Sequence, residues 1–213
     1  MKLYLSSYRI PVADELFRLV GRDRSSINVA LLPNAKDYYA SRAQNYKIRE
    51  IVRYQNELGL FNIDVVDLRN YRDSAFLYKK LREYDLVWAV GGNTFCLRQE
   101  MKRSGFDEVI RELLSNGVVY GGDSAGAVVA GTSLRGIESV DIPEFTEEVI
   151  QSGLELVPHV LLPHADNDYF ADTSNETRRV NQGQDIIQIN DNQAVIFEGE
   201  SMRRVTADIS ANT

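Results

Sequence analysis

Three short apolar stretches near the start of the chain, Lys2 to Ser6, Asn28 to Leu32 and Phe61 to Val66, alternate with longer polar segments. Each is rich in branched or aromatic side chains and runs into turn-forming residues, the pattern of buried strands. Between the second and third, Ile48, Ile51, Val52 and Leu58 recur at helical spacing and Gly59 follows. The spacing predicts a helix with those four on its buried side, stopped at the glycine. A strand, helix, strand order predicts a parallel sheet with helices on its faces. The alternation continues with a strand over Asp85 to Val90, a Gly91-Gly92-Asn93 turn, and a helix capped by Asn93 or Thr94. Phe106, Val109, Ile110, Leu113 and Leu114 mark the apolar face of a further helix, ended near Asn116-Gly117. Val118 to Tyr120 is the next strand.

Beyond Gly131 the pattern fades into a polar, acidic stretch over residues 132–153. Leu154 to Val157 and Val160 to Leu162 read as strands. Thr173 and Glu176 have the spacing of a capping box, which predicts a helix starting there. Ile186 to Ile189, Ala194 to Phe197 and Met202 to Val205 are short strand-like pieces. With no linker or repeat in its 213 residues, the chain reads as one domain over 1–213, with αβα layers around a mostly parallel sheet.

Composition narrows the partners. The chain is 44% hydrophobic and 26% charged, as expected of a soluble domain. A net charge of −7 argues against a nucleic-acid partner, and the 11 tyrosines are not interleaved with basic residues as a strand-stacking surface would require. The single cysteine excludes an intrachain disulfide framework. The opening MKLYLSSYRIPVADELF lacks the apolar core of a signal peptide, and no apolar run is long enough to span a bilayer. The expectation is a cytoplasmic protein with no membrane partner.

The candidate chemistry centres on VVYGGDSAGAVVAG, where Gly122-Asp123-Ser124-Ala125-Gly126 fits the G-x-S-x-G pattern between a buried strand and a small-residue helix start. A nucleophile on so tight a turn needs small neighbours, and the amides that follow can face a developing oxyanion. The Gly91-Gly92-Asn93 turn ends another predicted strand and can supply a second amide. A serine nucleophile needs a base, and the chain has two histidines, both in VPHVLLPHAD. His164 emerges after the apolar run and His159 precedes it, so His164 is the candidate base. An orienting carboxylate is not singled out by spacing; Glu138, Asp141, Asp166, Asp168 and Asp191 all qualify.

Other signals are weak. The glycines around Ser124 do not form G-x-G-x-x-G, and Ala127 stands where a Walker A loop needs lysine. Two histidines and one cysteine make no zinc set. Asp166, Asp168 and Asp172 read as a solvated acidic loop rather than a cation site, and Cys96 as a small buried thiol. Tyr38-Tyr39 can line or cover a pocket.

Taken in order, Gly91-Gly92-Asn93-Thr94-Phe95, Gly122 to Ala127, Pro163-His164 and Glu176-Thr177-Arg178 resemble the dipeptidase E (aspartyl dipeptidase) and cyanophycinase-like serine peptidases of family S51. The resemblance spans roughly residues 28 to 200. It implies a fold like class I glutamine amidotransferases, a three-layer αβα sandwich of flavodoxin-like type, with serine at the elbow. It implies Ser124 as nucleophile and His164 as base, with oxyanion amides at Gly92 and Ala125. Arg178 matches the arginine that recognises an acidic substrate side chain. Asn93 and Asp123, beside the two turns, are further candidate substrate contacts. For the acid, Asp191 is the nearest match to a carboxylate before a late strand, with Glu138 and Asp141 in reserve. The loop after His164 and residues 131–153 depart from the dipeptidase pattern, which weakens the implied preference for an N-terminal aspartate.

The expected function is serine-type hydrolysis of short peptides, with no metal or organic cofactor. The expected partner is a short peptide, with a second copy of the chain as the candidate assembly. Two rivals differ in kind. An esterase of α/β-hydrolase type would use Ser124, Asp141 and His164 in that chain order. A non-catalytic ligand-binding protein would keep the elbow as architecture only.

Overall fold

The computed structural model describes residues 1–38 and 43–207. Its main sheet has seven strands in the order β3-β2-β4-β5-β1-β8-β9: β1 (Lys2–Ser6), β2 (Asn28–Leu32), β3 (Asn62–Val65), β4 (Leu86–Ala89), β5 (Val119–Asp123), β8 (Gln193–Glu198) and β9 (Ser201–Thr206). The first five are mutually parallel, and β8 and β9 add an antiparallel edge beside β1. A separate parallel pair joins β6 (Val160–Leu162) to β7 (Ile186–Gln188). The result is an α/β fold with a mixed sheet and flanking helices.

Alternate residues of the central strands enter two different cores, because successive side chains of a strand point to opposite faces. Leu3, Leu5, Ala30, Leu32, Val87 and Ala89 belong to one. Tyr4, Val29, Leu31, Leu86 and Trp88 belong to the other. Helices cover both faces, which is why these strands read as near-continuous apolar runs. Helix α5 (Phe106–Ser115) buries all five residues of its predicted face.

Several readings need correction. In α2 (Ala43–Leu58), Ile48 and Val52 are exposed, and the inward stripe is Ile51, Tyr54 and Leu58. The helical period holds but its phase differs, since Tyr54 takes the place beside Trp88 on the sheet. Residues 154–157 form no strand; Leu154 and Leu156 are buried, and their amides bond to Val129 and Ala130 at the end of α6 (Ala125–Val128). The capping box is absent. Helix α7 (Ala171–Val180) starts two residues earlier, after a 3₁₀ turn held by the Asn167 side chain. Thr173 is buried inside that helix and Glu176 pairs with Arg179. Two eight-residue helices, α1 (Ala13–Val20) and α3 (Ser74–Leu81), have no counterpart among the predicted elements. The remaining helix, α4 (Thr94–Ser104), begins where expected, with Asn93 as its cap.

Strand order positions the site. The parallel strands β1, β4 and β5 end side by side, with Ala89 paired to Gly122 and Ser6 to Asp123. Because β8 runs the other way, its beginning meets the end of β1, where Ser6 pairs with Ala194. Segments far apart in sequence therefore meet at one edge, at the carboxyl ends of the parallel strands.

Candidate active site

Ser124 sits between β5 and α6 with φ 50° and ψ −111°. For a residue with a β-carbon that conformation costs on the order of 1–3 kcal/mol, so its surroundings must hold it. The Ser124 amide donates to Ser6 O at 3.1 Å, tying the turn to β1. Small neighbours are required. A β-carbon on Gly126 would lie 2.1 Å from Ala89 O, because α6 packs directly over β4. The adjacent turn is as tight, since Gly92 has φ 150° and a β-carbon there would lie 2.3 Å from Ala35 O.

His164 follows β6 through Pro163, as the sequence predicts, and itself adopts a positive φ of 57°. Its Nε2 lies 3.1 Å from Ser124 Oγ, and its Nδ1 lies 2.5 Å from Asp191 Oδ1. The ring is buried and stacks on Phe170, with centroids 4.4 Å apart. Two residues that sequence reasoning missed complete this array. Ser7, fully buried, donates to Asp191 Oδ1 at 2.8 Å and accepts from the His164 amide at 2.6 Å. Asn167 donates to Asp191 Oδ2 at 3.0 Å. Burial pushes the Asp191 carboxyl up, but the hydrogen bonds from Asn167 and Ser7 and the nearby His164 outweigh it and hold the group below the ordinary carboxylate range. The only sequence hint of Ser7 was its place just past the first predicted strand.

The reserve acids make other contacts. Asp141 accepts from both the amide and the hydroxyl of Thr94, the first residue of α4, and burial raises its pKa. Glu138 accepts from the Gly136 amide and from Gln151. The Ser124, Asp141, His164 order of an α/β-hydrolase is therefore not what the structure assembles. Asp166 accepts from the Asp191 amide, and among the described residues no His, Cys, Asp and Glu cluster could hold a metal.

The three candidate substrate contacts differ in their surroundings. Arg178 does not reach Ser124: its guanidinium bonds to Asn175 and Gln188, and it lines neither cavity there. The register of α7 turns this residue away while bringing Thr173 and Ser174 inward. Asn93 is buried and its side chain is committed to structure, accepting from the Cys96 amide and donating to Ile142 O. Asp123 does line the site. It is buried, accepts from Trp88 Nε1 at 3.0 Å and from the Gly91 amide, and its pKa is raised by burial, partly offset by Arg53. His159, at the opposite end of β6, lies 2.9 Å from Asp185. Burial pushes the Cys96 thiol up to about 12, which suits a packing role. Tyr38 packs against Phe145, and Tyr39 lies outside the described residues.

Ser124 and His164 form the shared wall of two unlike cavities. One, of about 480 Å³, is polar and lined by Arg9, Lys36, Arg49, Glu50, Arg53 and Asp123, together with Gly91 and Gly92. The other, of about 40 Å³, is mainly apolar and runs under Ala125.

The chain has relatives in sequence and in fold. An uncharacterized peptidase of Listeria innocua is 40% identical over 116 residues, a match that spans 54% of this chain and only about half (54%) of that relative. A peptidase E of Pasteurella multocida is 29% identical over 192 residues, covering 85% of this chain and 76% of the relative. A crystal structure from Listeria monocytogenes EGD-e shares the fold with a TM-score of 0.75 at 24% identity, covering 97% of this chain and 98% of that one. The crystal structure of a peptidase from an acI-B1 Actinobacterium gives a TM-score of 0.67 at 16% identity, covering 97% and 94%. The family model for peptidase family S51 matches residues 5–205. With that match running through nearly all of its length, the chain belongs to peptidase family S51.

Proposed function

We propose that this chain is a serine-type peptidase that hydrolyses short peptides through an acyl-enzyme. The observation that carries the reading is the continuous relay from Ser124 Oγ to His164 Nε2 at 3.1 Å and from His164 Nδ1 to Asp191 Oδ1 at 2.5 Å. Nucleophile, base and orienting acid in hydrogen-bond contact are what acyl transfer needs, whatever fold presents them.

Asp191 holds the proton of the imidazole on Nδ1, which leaves Nε2 free to accept. Ser124 Oγ attacks the scissile carbonyl carbon as its proton passes to Nε2. The oxygen of the tetrahedral intermediate takes the negative charge and is met by the amides of Gly92 and Ala125. Ala125 opens α6, so its N–H has no carbonyl one turn back to bond. The carbon–nitrogen bond then breaks, and Nε2 gives its proton to the leaving amine. Water, deprotonated by the same Nε2, attacks the ester. Collapse releases the new carboxylic acid and returns the proton to Ser124. Preference for an acidic side chain is not carried into this reading, because Arg178 is held away from the cavities.

The test is amino-acid release from a panel of dipeptides, with parent protein and Ser124→Ala compared after circular dichroism shows both folded. The expected outcome is release by the parent and a loss of at least about a thousandfold in the variant. Equal release by both would refute the serine mechanism.

A further inference from the structure

The two cavities at Ser124 differ so much that they assign the two sides of a substrate. We propose that the apolar recess holds the side chain of the residue that supplies the scissile carbonyl, and that it selects a short uncharged side chain over aspartate. The proposal rests on Ser124 being the nucleophile. The apolar walls of the recess are Val128, Ile137, Val140, Leu162 and Phe170, and Asp141, Thr94, Thr173 and Ser174 also line it. At about 40 Å³ the recess is small, so it takes a methyl or a small branched group but not a continuing chain. The acyl half of the substrate is the half bonded to Ser124, on the rim of this recess, and Ala125 lines the recess but not the larger cleft. The polar cleft carries both basic and acidic side chains, which suits the charged ends of a short peptide.

An aspartate side chain fits poorly here for two reasons. No lysine or arginine lines the recess, so a carboxylate entering it would lose water without gaining a cation. It would also meet the Asp141 carboxylate, which is fixed in the wall by Thr94. A short apolar side chain meets neither cost.

Diphenyl 1-aminoalkylphosphonates test this directly, because they carry only the carbonyl-side residue. Ser124 Oγ attacks phosphorus, the bond to one phenoxy group breaks, phenol leaves with the proton from His164, and an adduct is counted by intact mass. Analogues of Ala, Val, Leu and Asp would be run against the parent, Ser124→Ala, and two wall variants, Ile137→Ala and Val140→Ala. A small fluorophosphonate serves as the control for serine reactivity. The expected result is labelling by the Ala and Val analogues at least tenfold faster than by the Asp analogue. In whichever wall variant folds, the Leu analogue should gain at least fivefold relative to the Ala analogue. Equal or faster labelling by the Asp analogue, no response of the ranking to trimmed walls, or fluorophosphonate labelling with no aminophosphonate adduct would each overturn the recess assignment. Fluorophosphonate labelling that fails in the folded parent, or persists in Ser124→Ala, would overturn the serine reading instead.

Discussion

Replacing Ser7 by alanine separates a residue that positions the relay from one that only fills space. Its hydroxyl donates to Asp191 Oδ1 at 2.8 Å, accepts from the His164 amide at 2.6 Å and lies 3.3 Å from His164 Nδ1. Losing a hydrogen bond to a charged group costs about 1.5–3 kcal/mol, and leaving a buried N–H unpaired costs about 1–3 kcal/mol. The two losses share one atom and are not additive, so about 2–4 kcal/mol of stability is expected, or roughly 5–15 °C in Tm for a chain of this size. The effect on turnover has a ceiling, because disabling a triad aspartate outright lowers kcat by about 10⁴. Asp191 would keep its contacts to His164 and Asn167, so a fall of about 10- to 100-fold is expected. Ser7 lines neither cavity, which leaves KM within about twofold. The variant also moves a titration. The folded pKa of Asp191 is depressed, so its contribution to stability is present above the ordinary carboxylate range and is lost as pH falls through the folded value. Without the Ser7 donor the depression shrinks, and acid unfolding should begin at a higher pH. Steady-state kinetics and thermal melts from pH 3 to 7 check this. A lower Tm with kcat unchanged, or a rise confined to KM, would refute a positioning role.

Other substitutions probe separate claims. Asp191→Asn removes the anion that fixes the imidazole proton and should lower kcat by about 10³–10⁴, with Tm at neutral pH also lowered because the stability held by the depressed carboxylate is lost, read by the same kinetics and melts. Arg178→Ala should leave the ratio of Asp-X to neutral dipeptide cleavage within twofold, since its guanidinium is bound to Asn175 and Gln188. A collapse of Asp-X cleavage alone would return that arginine to the site. Gly126→Ala forces a β-carbon to within 2.1 Å of Ala89 O and should cost at least about 1–3 kcal/mol in denaturant melts, with the Ser124 turn displaced and activity reduced. For Asp123→Asn the sign is opposite to that of Asp191. Burial raises the folded pKa of Asp123, so the parent loses stability from this group as pH rises through the carboxylate range. The variant's Tm relative to the parent should be more favourable at pH 7 than at pH 4.

The parts of the fold legible in sequence were those whose signal is local. Strands buried on both faces wrote uninterrupted apolar runs, and β1 and β2 match their expected bounds residue for residue. α5 was legible because one face meets the sheet and the other meets solvent. α2 was harder: the stripe that faces the sheet abuts a rim carrying Glu50 and Arg53, which line the polar cleft, and the most apolar positions, Ile48 and Val52, point outward. α1 and α3 have only about two turns each, too short for periodicity to stand out against neighbouring loops. The segment over 154–157 has strand composition because it is buried, yet its amides bond to the end of α6 rather than to a sheet.

The site divides along the same line. Ser124 and the glycine turns announce themselves because their steric demands fall on adjacent residues, and His164 follows from its place at the end of an apolar run. Asp191 and Ser7 have no such local demand. They become neighbours only because β1 lies between β5 and β8, with one side pairing it to the strand that ends at the nucleophile and the other to the antiparallel strand that follows Asp191. The Ser6 carbonyl holds the Ser124 amide, and the next residue, Ser7, holds both His164 and Asp191. Two successive residues at the end of β1 thus fix all three members of the relay. A strand order that put β1 at an edge would keep every motif in the sequence and still separate the acid from the base. The elbow motif therefore specifies where a nucleophile can stand, and the insertion of the first strand into the middle of the sheet determines whether it has anything to pass its proton to.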